Sequence, residues 1–180
     1  MESFWFVVVV DDALMNISQV IRGEDHISNT PKQIVLYQAF GFEVPQFAHL
    51  PLILGPSGAR LSKRDAATAV LDYKKNGYLA PALCNYLVRL GWAHGDQEIF
   101  SREELITLFT LSGVGKKSSI FDQAKLDWVN SMYMRSFTGA DLLKLISRDV
   151  EPGFHPALGN WDEHKIVKAI YLYKERAKTL

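Results

Sequence analysis

Two short stretches carry the side chains best suited to chemistry. The first is Arg60-Leu61-Ser62-Lys63-Arg64, entered from the turn Gly55-Pro56-Ser57-Gly58-Ala59. A mobile ammonium and a fixed guanidinium fork beside a small hydroxyl suit a polyphosphate. Read alone, a basic pentapeptide of this kind is ordinarily solvated surface. The second is Arg22-Gly23-Glu24-Asp25-His26. A guanidinium grips a carboxylate bidentately, and a nearby carboxylate accepts from hydroxyls or an amine. The plain alternative is a loop with a local ion pair.

Both stretches sit at the ends of apolar elements, which would position them. Phe4-Trp5-Phe6-Val7-Val8-Val9-Val10 is apolar on every residue and rich in β-branching, which predicts a strand inside a covered, largely parallel sheet. Such a strand needs neighbours, so the chain reads as the C-terminal part of something larger. Leu14, Ile17, Val20 and Ile21 fit a short helix or a second strand. Thr30-Pro31 starts a helix that Gly41 ends, with Ile34, Val35 and Leu36 apolar and Lys32, Gln33 and Gln38 outward. Phe47 to Leu54 is the next strand, and the basic loop follows its C-terminal end, where open α/β sheets bind ligands.

Beyond residue 70 the pattern turns helical. Ala69–Asn76 stops at Gly77 and Pro81–Leu90 at Gly91. Ser101 with Glu104 forms a capping box. Asp122 caps the next helix, and Thr138 precedes another. Asn160-Trp161-Asp162-Glu163 opens the last, with a loop at Glu151-Pro152-Gly153. Tyr78, Trp92, Phe100, Phe109, Phe121 and Trp128 read as core; without interleaved basic residues they make a poor base-stacking platform.

Composition narrows the classes. The 180 residues are 48% apolar, with 20 Lys+Arg against 20 Asp+Glu, so any nucleic-acid contact must be local. Lys74-Lys75 and Lys116-Lys117 are candidates, and solvated faces fit them equally well. The single cysteine, Cys84, excludes an internal disulfide and reads as a buried structural thiol among Leu83, Tyr86 and Leu87. His49 reads as a hydrogen-bonded core residue. No metal site, membrane span, signal peptide, nucleophile elbow or Walker loop is apparent, which points to a cytoplasmic protein without a covalent nucleophile.

Taken in order, these segments resemble the bacterial-type glutamyl-tRNA synthetases, a class I family. The resemblance rests on Val8-Val9-Val10-Asp11-Asp12-Ala13-Leu14-Met15, on Val20 through Pro31, on Phe47 through Ile53 and on Arg60 through Arg64. Gly77-Tyr78-Leu79, Asn85-Tyr86-Leu87, Leu90-Gly91-Trp92, Glu98-Ile99-Phe100 and Phe121-Asp122 extend it to about residue 135. The implied fold is part of a Rossmann-like parallel sheet followed by an all-α region. Residues 1–70 would be the C-terminal half of the catalytic domain, 71–139 a stem-contact domain and 140–180 the start of an anticodon-binding domain.

The implied reaction is glutamate activation by ATP with Mg²⁺, then transfer to the tRNA for glutamate, in a monomeric parent protein. Arg60 to Arg64 would be the KMSKS-type loop, with Arg60 in place of its first Lys and Lys63 as the catalytic Lys. Arg22 would hold the glutamate side-chain carboxylate, Asp25 would lie near ATP and the Ile53 backbone beside adenine. Leu61, Ser62 and Arg64 complete the nucleotide-binding set, while Lys74, Lys75, Lys116 and Lys117 would touch tRNA phosphates. The family's first half is missing, so the chain alone would not aminoacylate. Phe4 stands where the family has Tyr, and Asp65 where it has His. The alternatives are a non-catalytic tRNA- or partner-binding module and a glutaminyl-type or tRNA-modifying relative.

Overall fold

In a computed structural model of the chain, residues 2–61, 69–149 and 162–180 are described. They fall into two compact units, 1–52 with 115–119 and 53–114 with 120–180. The loop at Glu151-Pro152-Gly153 lies outside the described residues.

The first unit begins with helix α1 (Glu2–Leu14), where the apolar run predicts a strand. A run apolar at every position has no period to separate the two. Neighbours decide it instead: Val9 is fully buried, and Phe6 meets Phe40 edge to face at 5.2 Å. Met15 N donates to Asp11 O and Ile17 N to Asp12 O, closing the last turn. The deduction of missing sheet neighbours from this run therefore lapses.

Strand β1 (Gln19–Gly23) settles the ambiguity at Leu14–Ile21 as a helix end followed by a strand. A short 3-10 segment (Glu24–Asn29) leads into α2 (Thr30–Ala39), and β2 (Gln46–Leu50) follows. β1 and β2 pair in parallel, from Gln19 opposite Gln46 to Gly23 opposite Leu50, with α2 as the crossover that a parallel pair requires. On α2 the expected outward face is partly reversed: Gln33 is 4% exposed and Val35 62%. Three consecutive apolar residues cannot share one helix face, and the inward pair is Gln33 with Tyr37, four residues apart. The expected strand 47–54 is split. Pro51 has no amide to give a ladder, and Leu52 N donates to Glu24 Oε1 at 3.1 Å.

The second unit opens with the two-residue strand β3 (Ile53–Leu54). Its helices are α3 (Val70–Lys75), α4 (Ala80–Arg89), α5 (Arg102–Leu108), α6 (Gln123–Ser136), α7 (Gly139–Asp149) and α8 (Glu163–Tyr173). Strand β4 (Ser119–Ile120) precedes α6. The caps are those the sequence indicates. Ser101 Oγ accepts from Glu104 N while Glu104 reaches back to Ser101 N. Asp122 accepts from Ala124 N and Lys125 N, and Asp162 from Lys165 N.

Its core joins Tyr73, Leu79, Leu83, Tyr86, Phe121, Leu126, Val129 and Met134, from α3, α4 and α6 and the segments that lead into α4 and α6. The chain end also docks here: the carboxamide of the fully buried Asn130 accepts from Leu79 N and donates to Lys178 O. Leu180 N donates to Gly77 O, and a Cβ on Gly77 (φ +79°) would lie 2.6 Å from Leu180 O.

Two expectations fail in this unit. Cys84 is exposed, because helical spacing turns it outward between the buried Leu83 and Asn85. Phe109 and Trp128 are 41% and 40% exposed, and the Lys125 ammonium lies 4.1 Å above the Trp128 ring. Trp128 thus has a basic neighbour three residues away on the same helix, against the expectation of no interleaved basic residues.

Candidate active site

Arg22 lies near the C-terminal end of β1, at the end of a parallel pair where α/β sheets bind ligands. The parallel register sets it opposite His49 on β2. Its Nε donates to His49 Nε2 at 3.4 Å and its Nη2 to Thr30 Oγ1 at 2.6 Å. Nη2 also lies 3.5 Å from the carbonyl of His26, and the Phe47 ring centroid is 5.2 Å from the guanidinium carbon. Burial lowers the Arg22 pKa, while the Asp12 carboxylate opposes that shift. Burial likewise raises the Tyr37 phenol, assisted by the charge and hydrogen bond of Asp12.

The rest of the Arg22–His26 cluster closes the strand ends. Glu24 Oε1 takes the Leu52 amide, so the exits of β1 and β2 are tied together, and Ser118 Oγ lies 3.5 Å from the same oxygen. Asp25 Oδ1 is 3.9 Å from His26 Nε2. The structure therefore gathers Arg22, Glu24 and Asp25 beyond one strand end. It adds Asp12, Thr30, Tyr37 and His49, none of which the sequence marked for a site. His49 is half-buried and hydrogen-bonded, in keeping with a structural histidine, but its partner is the very guanidinium the sequence singles out.

Ile53, Arg60 and Leu61 belong to the second unit, where they form the root of the basic loop. Gly55 N donates to Ala59 O and Gly58 N to Gly55 O, a tight return in which Gly58 takes φ +77°. Leu54 and Arg60 form an antiparallel bridge, and Leu61 N donates to Ile53 O at 3.1 Å. Leu61 and Ile53 pack against the helical core, while Arg60 is exposed on the return arm. The loop thus leaves a fixed hairpin rather than a slack linker. Ser62, Lys63, Arg64 and Asp65 lie outside the described residues, as does the Phe4 side chain.

Lys74 and Lys75 are exposed at the end of α3 in the second unit; Lys116 and Lys117 are exposed in the first. The four therefore belong to different units. Among the described residues no cluster of His, Cys, Asp or Glu is placed to hold a metal ion, and no helix is long and apolar enough to cross a membrane.

With this geometry in place, the comparisons with known proteins agree with one another. Residues 3–128 match the family model for tRNA synthetases class I (E and Q), catalytic domain. The chain is 50% identical over its whole length to a glutamate–tRNA ligase of Dichelobacter nodosus, of which it covers 38%. It is 57% identical, over 78% of its length, to glutamate–tRNA ligase 1 of Syntrophus aciditrophicus, covering 30% of that protein. The crystal structure of a glutamate tRNA ligase from Elizabethkingia meningosepticum, in complex with its amino acid, superposes with a TM-score of 0.83 at 33% identity. That match covers 98% of this chain and 38% of the other. The predominantly helical fold with its small parallel sheet agrees with that structure. The chain spans 30% to 38% of the length of these relatives.

Proposed function

The chain belongs to the class I tRNA synthetases (E and Q), and from that premise we propose that it is a section of a glutamate–tRNA ligase. In this reading the parent protein is a cytoplasmic monomer. It joins glutamate to ATP as glutamyl-adenylate, releasing pyrophosphate, and passes the acyl group to the terminal ribose of the tRNA for glutamate. The carboxylate of the substrate is itself the nucleophile toward the α-phosphorus. Positioning and charge stabilisation suffice, and no side-chain nucleophile is needed.

Arg22 grips the glutamate side-chain carboxylate, and Asp25 and the Ile53 backbone border the nucleotide. Arg60, Leu61, Ser62 and Arg64 shape the loop that closes over the phosphates, and Lys63 neutralises charge developing on the departing pyrophosphate. ATP enters as its Mg²⁺ complex, a substrate. Residues 1–70 are the catalytic-domain portion and 71–139 the stem-contact portion, with Lys74, Lys75, Lys116 and Lys117 toward tRNA phosphates. Residues 140–180 begin the anticodon-binding portion.

The observation that carries this reading is the Arg22 guanidinium, held near the C-terminal end of a parallel strand by hydrogen bonds to β2 and to the first residue of α2. The test is a chimera in which this segment replaces the matching region of the 50%-identical relative. The chimera should catalyse glutamate-dependent ATP–pyrophosphate exchange. Lys63→Ala should slow that exchange by about a hundredfold while tRNA affinity stays within about twofold. A folded chimera that binds tRNA without exchange would instead favour a non-catalytic RNA-binding module.

A further inference from the structure

The guanidinium of Arg22 is planar, with Nε and Nη2 on one edge and Nη1 and Nη2 on the other. Its Nε–Nη2 edge is the one engaged at short range: Nε meets His49 Nε2 and Nη2 meets Thr30 Oγ1, while Nη2 keeps a long contact to His26 O at 3.5 Å that a substrate carboxylate would displace. The Thr30 hydroxyl accepts from Arg22, and its own proton has two acceptors in reach, His49 Nε2 at 3.0 Å and His26 O at 3.4 Å. Arg22 Nε donates to that ring nitrogen whichever acceptor Thr30 takes. That nitrogen must carry a lone pair, which puts the proton of the neutral ring on Nδ1. The Phe47 ring beside the guanidinium restrains its plane.

We propose that Thr30 and His49 are positioning residues that lock the Arg22 guanidinium, so that its Nη1–Nη2 edge is set to fork a substrate carboxylate. The inference rests on the reading of Arg22 given above and assigns the two residues that make that reading geometrically possible. A guanidinium on a free side chain must lose rotamer freedom when it binds. One already fixed along an edge and a face has lost that freedom on folding. Arg22 stands on β1, and its three anchors come from the first residue of α2 (Thr30) and from β2 (Phe47 and His49). The clamp therefore also makes carboxylate recognition depend on the parallel register of the two strands.

In the chimera, Thr30→Val and His49→Phe should each raise the glutamate KM by about tenfold, because each removes a hydrogen bond to a charged group. The ATP KM should stay within about twofold, and Thr30→Ser should restore most of the loss. A folded Thr30→Val enzyme with unchanged glutamate KM, or with both KM values raised alike, would overturn the proposal. Arg22→Ala separates the two claims. If it raises the glutamate KM while Thr30→Val does not, only the positioning role falls. If it also leaves that KM unchanged, the substrate role of Arg22 falls with it. On the 180-residue chain itself, nitrogen-15 NMR should show His49 protonated at Nδ1 and a slowly exchanging Arg22 Nε–H that Thr30→Val makes fast. A His49 ring protonated at Nε2 would also overturn it.

Discussion

Among the described residues of the first unit, Val9, Tyr37 and Pro45 are its buried apolar side chains, and Gln33 is buried as well. The same unit leaves Phe6, Val7, Leu14, Met15 and Val35 between 48% and 71% exposed. The second unit instead buries a continuous cluster from Tyr73 to Met134, with Tyr86 and Phe121 meeting edge to face at 5.3 Å. One unit keeps its shape through strand pairing and a polar clamp, the other through packed volume. Burial of apolar area is the larger stabilising term. The helical unit therefore carries most of the chain's stability, and the first carries the side chains with substrate chemistry.

The sharpest way to break this contrast is to cut a methylene cluster from each unit. Leu126→Ala, at a fully buried position, should cost about 2–5 kcal/mol by urea unfolding, whereas Val35→Ala should change stability by less than about 0.5 kcal/mol. Comparable losses would show that the first unit has a core of its own. A smaller effect concerns Gln33, whose Oε1 is buried without a hydrogen-bond partner among the described residues. Gln33→Met should stabilise the first unit by about 1 kcal/mol, read as slower amide exchange in β1 and β2. Faster exchange would mean that the amide is satisfied in solution.

The smallest expected effect is electrostatic and belongs to the second unit. Hydrogen bonding from Arg89 holds the Glu98 carboxyl below its ordinary 4.5, with Lys125 assisting. A folded value below the unfolded one means that the pair stabilises at neutral pH, and that this stabilisation is lost as pH falls from 4.5 through the lowered value. Glu98→Gln should therefore flatten the acid limb of a urea-midpoint titration. The pair is partly exposed, so the change should not exceed about 1 kcal/mol. An unchanged acid limb would remove the ion pair from the account.

Sequence reading succeeded where local chemistry determines structure. Ser101 with Glu104, Asp122 and Asp162 each announce a helix start through a side chain that bonds the backbone within three residues. It failed where neighbours decide. Nothing in Phe4–Val10 separates helix from strand, and the apolar residues beside Cys84 suggest burial where helical rotation sets its exposure. The cluster of acids and bases at Arg22–His26 is visible as a string. Its partner His49 is not, because Thr30 and His49 stand 19 residues apart and meet only through the register of β1 on β2.

The bond between Leu180 N and Gly77 O has a bearing on synthesis as well as on stability. It closes a chain loop of roughly a hundred residues, a span whose ordering is slow to recover its entropic cost. A polypeptide emerges from the ribosome N-terminal end first. Helices α3, α4 and α6 must then wait, with Asn130 lacking the Lys178 carbonyl, until the stretch after α8 has cleared the exit tunnel. The helical unit is thus sealed only once residues 178–180 are available, after the Arg22 clamp has all of its residues in hand.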